Sequence, residues 1–127
     1  MAKGLTSAQL RYIIAVAELI EKKPAKVRCI DIAARLGVAR ASACRMLSSL
    51  VEEDILAQDV RKGLSFTEKG AAVAEKHVEA YRRLAGFFKE EFSLSDFDAG
   101  ECAMSLLSTL PEGLSETLCA HIAQRPA

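Results

Sequence analysis

The stretch DIAARLGVARASACRMLSSL, residues 31–50, leaves little freedom to the fold around it. Ile32, Ala33 and Leu36 recur at helical spacing. Asp31 stands near the start of that run, where a carboxylate meets the positive end of a helix. Gly37 suits the left-handed residue that stops a helix. The helical pattern resumes within about three residues, at Ala39 to Ala41. It is predicted to run to about Glu52, with Ala43, Met46, Leu47 and Leu50 facing inward. Arg40, Ser42, Arg45, Ser48 and Ser49 fall mostly on other faces. Two helices joined by so short a turn make a helix-turn-helix.

The flanks extend that unit. Leu10, Ile13, Ile14, Ala17 and Ile20 share one face of a first helix, with Thr6 or Ser7 as its cap and Pro24 as its stop. After the second helix of the pair, Ile55 to Val60 and Leu64 to Phe66 alternate as short strands around the turn RKG. That hairpin carries Arg61 and Lys62 at its tip, and three helices with such a hairpin form a winged helix. Thr67 then caps a long helix whose stripe runs through Val73 or Ala74, His77, Tyr81, Leu84, Phe88 and Phe92. It is too long for the small wing domain to cover, so packing against another chain is expected. SLSD caps a fifth helix, from about Asp96 to Leu110, and Pro111 opens a sixth, to about Gln124. The expected fold is mainly α. A winged helix-turn-helix domain over residues 1–68 precedes an all-helical dimerisation domain over 69–127.

Composition agrees with this organisation. Half of the 127 residues are apolar, enough for a sizeable core, yet no apolar run approaches the length of a membrane span. The first residues, MAKGLTSAQL, lack the apolar core of a secretory signal. Cysteines at 29, 44, 102 and 119 form no CxxC pair and no zinc-finger spacing, so reduced thiols and a cytoplasmic location are expected. The net charge of zero hides a split. Residues 22–62 hold nine basic against five acidic groups, net +4, whereas residues 63–127 hold six against ten, net −4. Such asymmetry suits a nucleic-acid face on one part and another task for the rest.

The second helix of the pair is the expected reader. A helix fits the major groove, and its first turn reaches base edges. Arg40 and Arg45 can donate to guanine or phosphate, Ser42 to either, and Arg61 and Lys62 suit backbone phosphates. The plainer alternative is a solvated helix face beside a core. No phosphate-binding glycine loop, GxSxG or HExxH occurs, and neither His77 nor His121 has a nucleophile at a fixed offset, so no enzyme is expected.

The strings VRCIDIAARLGVARASACRMLSSL and LSFTEKGAAVAEKHVEAYRRLAGFF resemble the metal-dependent repressors of the diphtheria toxin repressor and manganese transport regulator family. The family pattern is a "VRxxDIAxxLGVSxxSVSRxxxxL" helix pair, a wing ending in "LTxxG" and a long helix leading into a dimerisation domain. The resemblance covers about Leu5 to Ile122 and is strongest through Phe88. It implies a homodimer that binds a palindromic DNA operator and represses metal-uptake genes when Mn²⁺ or Fe²⁺ is bound. It implies Ala39, Arg40, Ala41, Ser42 and Arg45 as the base-reading turn. A third domain of the kind some members add is not expected in these 127 residues.

The family's metal donors are not matched. Their positions on the first helix fall on Arg11 and Ile14. The histidine eleven residues beyond the wing glycine falls on Tyr81, and its companion four later on Ala85. On the fifth helix the motif becomes CAMSL, in which Cys102 survives while Ser105 and Leu106 replace glutamate and histidine. A hard divalent ion wants several oxygen and nitrogen donors. The residues left for a rebuilt site are His77, Glu101 and Cys102. His77 also fits a packed stripe, and Cys102 also fits a small buried apolar position. Cys44, on the reading helix, and Cys29, just before the second helix, are candidate oxidation sites without an evident partner. Phe87, Phe88 and Phe92 suit a dimer core or a small-ligand pocket. Three readings follow: a regulator with an altered Mn²⁺ or Fe²⁺ site, a metal-independent regulator sensing a thiol oxidant or small ligand, and a dimeric protein-interaction module with a vestigial wing.

Overall fold

The computed structural model describes residues 5–22 and 26–125. The elements run α1 (Ser7–Lys22), α2 (Cys29–Leu36), α3 (Arg40–Glu52), β1 (Leu56–Asp59), β2 (Gly63–Phe66), α4 (Glu68–Phe92), α5 (Asp96–Thr109) and α6 (Glu112–Ala123). The chain is mainly helical, with one antiparallel hairpin after three N-terminal helices, the winged helix-turn-helix followed by helices that the sequence predicts. Compact packing divides it into Met1–Glu75 and Lys76–Ala127. Pro24, expected to end the first helix, lies outside the described residues.

Local signals set the helix ends. Thr6 and Gln9 form a reciprocal cap: Gln9 N–H donates to Thr6 Oγ1 at 3.0 Å and Thr6 N–H to Gln9 Oε1 at 3.1 Å. At α2 the Arg28 N–H donates to Asp31 Oδ2 at 2.8 Å, so Asp31 reaches back over the helix start. Gly37 is left-handed, φ 69° and ψ 36°, and its N–H donates to Ala33 O, closing α2. Ser95 Oγ accepts from Asp98 N–H at 3.1 Å and caps α5.

The first unit is built around α1. Leu10, Tyr12, Ile13, Ile14, Ala15 and Val16 are all buried there. This exceeds the single expected face, because α2, α3 and β2 all pack on α1. Ala17 and Ile20 are only half-buried. Arg35 Nε donates to Glu18 Oε1 at 2.7 Å and ties α2 to α1. The first strand is shorter than expected. Val60 is 92% exposed and belongs to the turn, since Asp59 ends the ladder opposite Gly63.

In the second unit Tyr81 and Leu84 of α4 and Ala99, Ala103, Met104 and Leu107 of α5 are buried. His77 and Phe88 are half-buried, while Phe92 is 60% exposed despite its place on the expected stripe. Cys119 of α6 donates to Ala80 O of α4 at 3.9 Å, and Lys76 pairs with Glu116 at 3.0 Å.

Candidate nucleic-acid interface

The helix pair presents α3 outward. Ala43, Leu47 and Leu50 are buried, and Met46 is half-buried against the core. Ala39, Arg40, Ala41, Cys44, Arg45 and Ser48 are exposed, and Ser42 is half-buried. Arg40, Cys44 and Ser48 follow one another at four-residue spacing, and Ala41 and Arg45 form the adjacent row. One solvent face of α3 therefore carries two guanidinium groups separated by small side chains, which let a helix backbone approach a groove.

Charge is polarised along this helix. Arg40 opens α3 and Arg45 follows in its second turn, whereas Glu52, Glu53 and Asp54 stand at its far end, about 18 Å away by helical rise. Phosphates are attracted to the first end and repelled from the second. The start of α3 has no side-chain cap, since Ala39 stands at the N-cap.

The wing is shaped by one carboxylate. Asp59 Oδ1 accepts from Arg61 N–H at 2.7 Å and from Lys62 N–H at 3.0 Å. This is an Asx-type turn, and it fixes the backbone that displays the two basic side chains. The Lys62 and then the Arg61 N–H groups hold the Asp59 carboxyl below its ordinary range. Gly63 closes the turn with φ +82°, and a Cβ there would lie 2.6 Å from Val27 O. Leu64 N–H donates to Val27 O at 2.8 Å, and Val27 bridges Gly63 in parallel.

That bridge adds two residues overlooked in the sequence. Lys26 and Arg28 flank buried Val27 and are exposed beside the turn end of the wing. Their signal was present as basic residues alternating around an apolar one, K-V-R, but nothing local announces a pairing across thirty-six positions.

Behind α3 lies a polar cluster. Cys29, the first residue of α2, donates from Sγ to Arg40 O at 3.7 Å, which sets its thiol beside that of Cys44. Burial, then the neighbouring Cys29, push the Tyr12 phenol up, while Arg45 opposes them. Spacing in the sequence shows neither the thiol contact nor its backing by Tyr12.

The family's ion positions do not fit a metal. Ile14 and Tyr81 are packed into the cores of their units, and Ala85, Ser105 and Leu106 supply no ionisable donor. Among the described residues no group of three or more His, Cys, Asp or Glu side chains stands close enough to hold an ion, so His77, Glu101 and Cys102 are not gathered into one. Each of the three is half-buried.

Three packed helices, a glycine-stopped turn and a basic-tipped hairpin define a winged helix-turn-helix protein of the DNA-binding type. Residues 14–60, from within α1 to the wing, match the IclR helix-turn-helix domain. The sequence match is thus to a different group of helix-turn-helix domains from the metal-dependent repressors that the chain resembles. No curated protein matches the chain by sequence. Among solved structures, the manganese regulator SloR superposes on 98% of this chain with a TM-score of 0.70 and 21% identity. The metal-dependent transcriptional regulator MtsR does so on 92%, with a TM-score of 0.73 and 16% identity. A hypothetical protein from Sulfolobus solfataricus matches 95% of this chain and 92% of its own length, with a TM-score of 0.55 and 16% identity. The chain spans only 56% of SloR and 54% of MtsR, about half of each. These similarities extend the shared fold beyond the wing into the helices that follow it.

Proposed function

We propose that this chain is a homodimeric DNA-binding transcriptional regulator acting on a palindromic operator in the cytoplasm. The observation that carries the reading is the exposed Arg40–Ala41–Arg45 face of α3, set beside a wing whose basic tip Asp59 holds in place. Ala39, Arg40, Ala41, Ser42 and Arg45 meet base edges, while Arg61 and Lys62 meet phosphate, with Lys26 and Arg28 adding charge beside them. Residues 1–68 serve as the reader and residues 69–127 as the dimerisation part. Exposed Phe92, Phe97 and Leu114 support the second assignment. In a two-fold dimer the paired recognition helices stand about 34 Å apart, one turn of DNA.

The fold shared with SloR and MtsR supports a regulator of their general kind. The residues at the family's ion positions support one whose response to Mn²⁺ or Fe²⁺ no longer runs through that site. Gel-filtered protein tested against duplex DNA, including its own promoter region, decides the reading. Salt-dependent binding by a dimer is expected, and a monomer, or a protein indifferent to duplex DNA, contradicts it.

A further inference from the structure

We propose that Cys29 and Cys44 form a dithiol modification site at which a hydroperoxide is reduced and an intramolecular disulfide forms, withdrawing the recognition helix from DNA. The effect on DNA rests on the function proposed above; the disulfide does not.

Two cysteines fifteen positions apart meet here because the turn at Gly37 folds α3 back on α2. Cys29 Sγ lies 3.7 Å from Arg40 O, the carbonyl one helical turn before Cys44, which sets its thiol beside that of Cys44. Their exposures differ in a useful way. Cys44 is exposed on the α3 face between Arg40 and Arg45, whereas Cys29 is half-buried behind it. Burial first, and then the neighbouring Cys44 thiol, push the Cys29 thiol up to about 11. Cys29 therefore stays protonated near neutral pH, and Cys44 meets the oxidant. Cys44 is the accessible sulfur of the pair, and accessible thiols are the ones an oxidant reaches. Cys102 and Cys119 lie in the other compact unit, where Cys119 is hydrogen-bonded to Ala80 O and pushed up by burial.

The chemistry balances. The Cys44 thiolate attacks one oxygen of hydrogen peroxide, the O–O bond breaks, and the departing hydroxide is protonated to water. Cys44 is left as a sulfenic acid. Cys29 sulfur then attacks Cys44 sulfur: the S–S bond forms, the S–O bond breaks, and the Cys29 proton leaves with the hydroxyl as a second water. Two thiols have lost two electrons and two protons, and one peroxide has become two waters.

A disulfide requires an S–S separation of about 2.05 Å and Cβ atoms about 3.8 Å apart, closer than two neighbouring thiols. Its formation draws Cys44 towards the start of α2. Cys44 lies in the row of Arg40 and Ser48, so the face that meets the groove shifts with it.

The test treats the intact reduced chain with hydrogen peroxide and maps tryptic peptides without reductant. A linked pair of the peptides 29–35 and 41–45 is expected, reversed by dithiothreitol. Duplex affinity is expected to fall roughly tenfold or more in the linked form and to recover on reduction. The variant Cys29→Ser is expected to bind DNA like the reduced parent and to give no linked peptide; its Cys44 is instead trapped as sulfenic acid by a 1,3-diketone. Absence of the linked peptide, or linkage through Cys102 or Cys119, overturns the site. A linked form that binds DNA as tightly as the reduced one overturns the withdrawal. Should the reduced chain bind no duplex, the proposed function falls, and the peptide map alone still decides the disulfide.

Discussion

Gly70, in the first turn of α4, packs so closely on Ile55 that a Cβ would lie 1.8 Å from the Ile55 carbonyl oxygen. The contact is part of a joint. Thr67 Oγ1 donates to Asp54 O at 2.5 Å and accepts from Gly70 N–H at 2.8 Å, and Thr67 N–H donates to Ile55 O at 3.1 Å. The T-E-K-G string thereby locks the start of the long helix to the turn that launches the wing.

Gly70→Ala is expected to destabilise the fold by about 2–3 kcal/mol, since the obstructing atom is backbone and cannot rotate away. Gly86→Ala, in the same helix with nothing within 4 Å of the new Cβ, is expected to gain about 0.5–1 kcal/mol from helix propensity. Chemical denaturation of the two variants beside the parent checks both signs.

The same joint shows what the sequence made legible. Thr67, Gly37 and Asp31 act through bonds to near neighbours, so their roles could be read from order and spacing alone. The outward face of α3 was legible for the same reason, because a 3.6-residue period separates Ala43, Leu47 and Leu50 from Arg40 and Arg45. Contacts made only after the chain folds back were not. Val27 meets Gly63, Cys29 meets Cys44, and α1 is buried on several sides at Tyr12, Ala15 and Val16. Local periodicity carries no information about how many neighbours a helix will meet.

Asp59→Asn should keep the wing turn and strengthen DNA binding. An asparagine carbonyl can still accept from Arg61 and Lys62 N–H, while a negative charge beside the phosphates is removed. The parent wing should also depend on pH. The folded Asp59 carboxyl sits below its ordinary value, so the turn's contribution is full above about pH 4 and is lost as pH falls through the depressed value. Titration of the Arg61 and Lys62 amide resonances should show that step in the parent and not in the variant.

Replacements on the two arms of the interface should behave differently. Arg45→Ala is expected to cost about 1–3 kcal/mol on the preferred operator and to relax base preference there. Lys62→Ala should weaken binding almost equally across sequences and lower the salt slope by about one. Anisotropy titrations on an operator and on scrambled duplex separate the two outcomes.

Manganese should not stabilise the chain. Ile14, Ala85 and Leu106 bring no donor to the family's ion positions, and Tyr81 is packed into the core of its unit. An ion present at a hundred times its Kd would add about 2.7 kcal/mol. Thermal unfolding with and without Mn²⁺ should coincide, and calorimetry should give no heat with micromolar affinity. A clear shift in either would mean that His77, Glu101 and Cys102 assemble a site after all.

The proposed function turns on the grip of α3 and the wing on duplex DNA. Its most direct measurement is the affinity of the intact, reduced chain for promoter duplex across a range of salt, beside the Arg40→Ala/Arg45→Ala variant. The parent is expected to bind tightly, with affinity that falls linearly in log–log form with salt, and the variant to stay folded but lose operator preference. Equal binding by both proteins, or none by the folded parent at low salt, would contradict it.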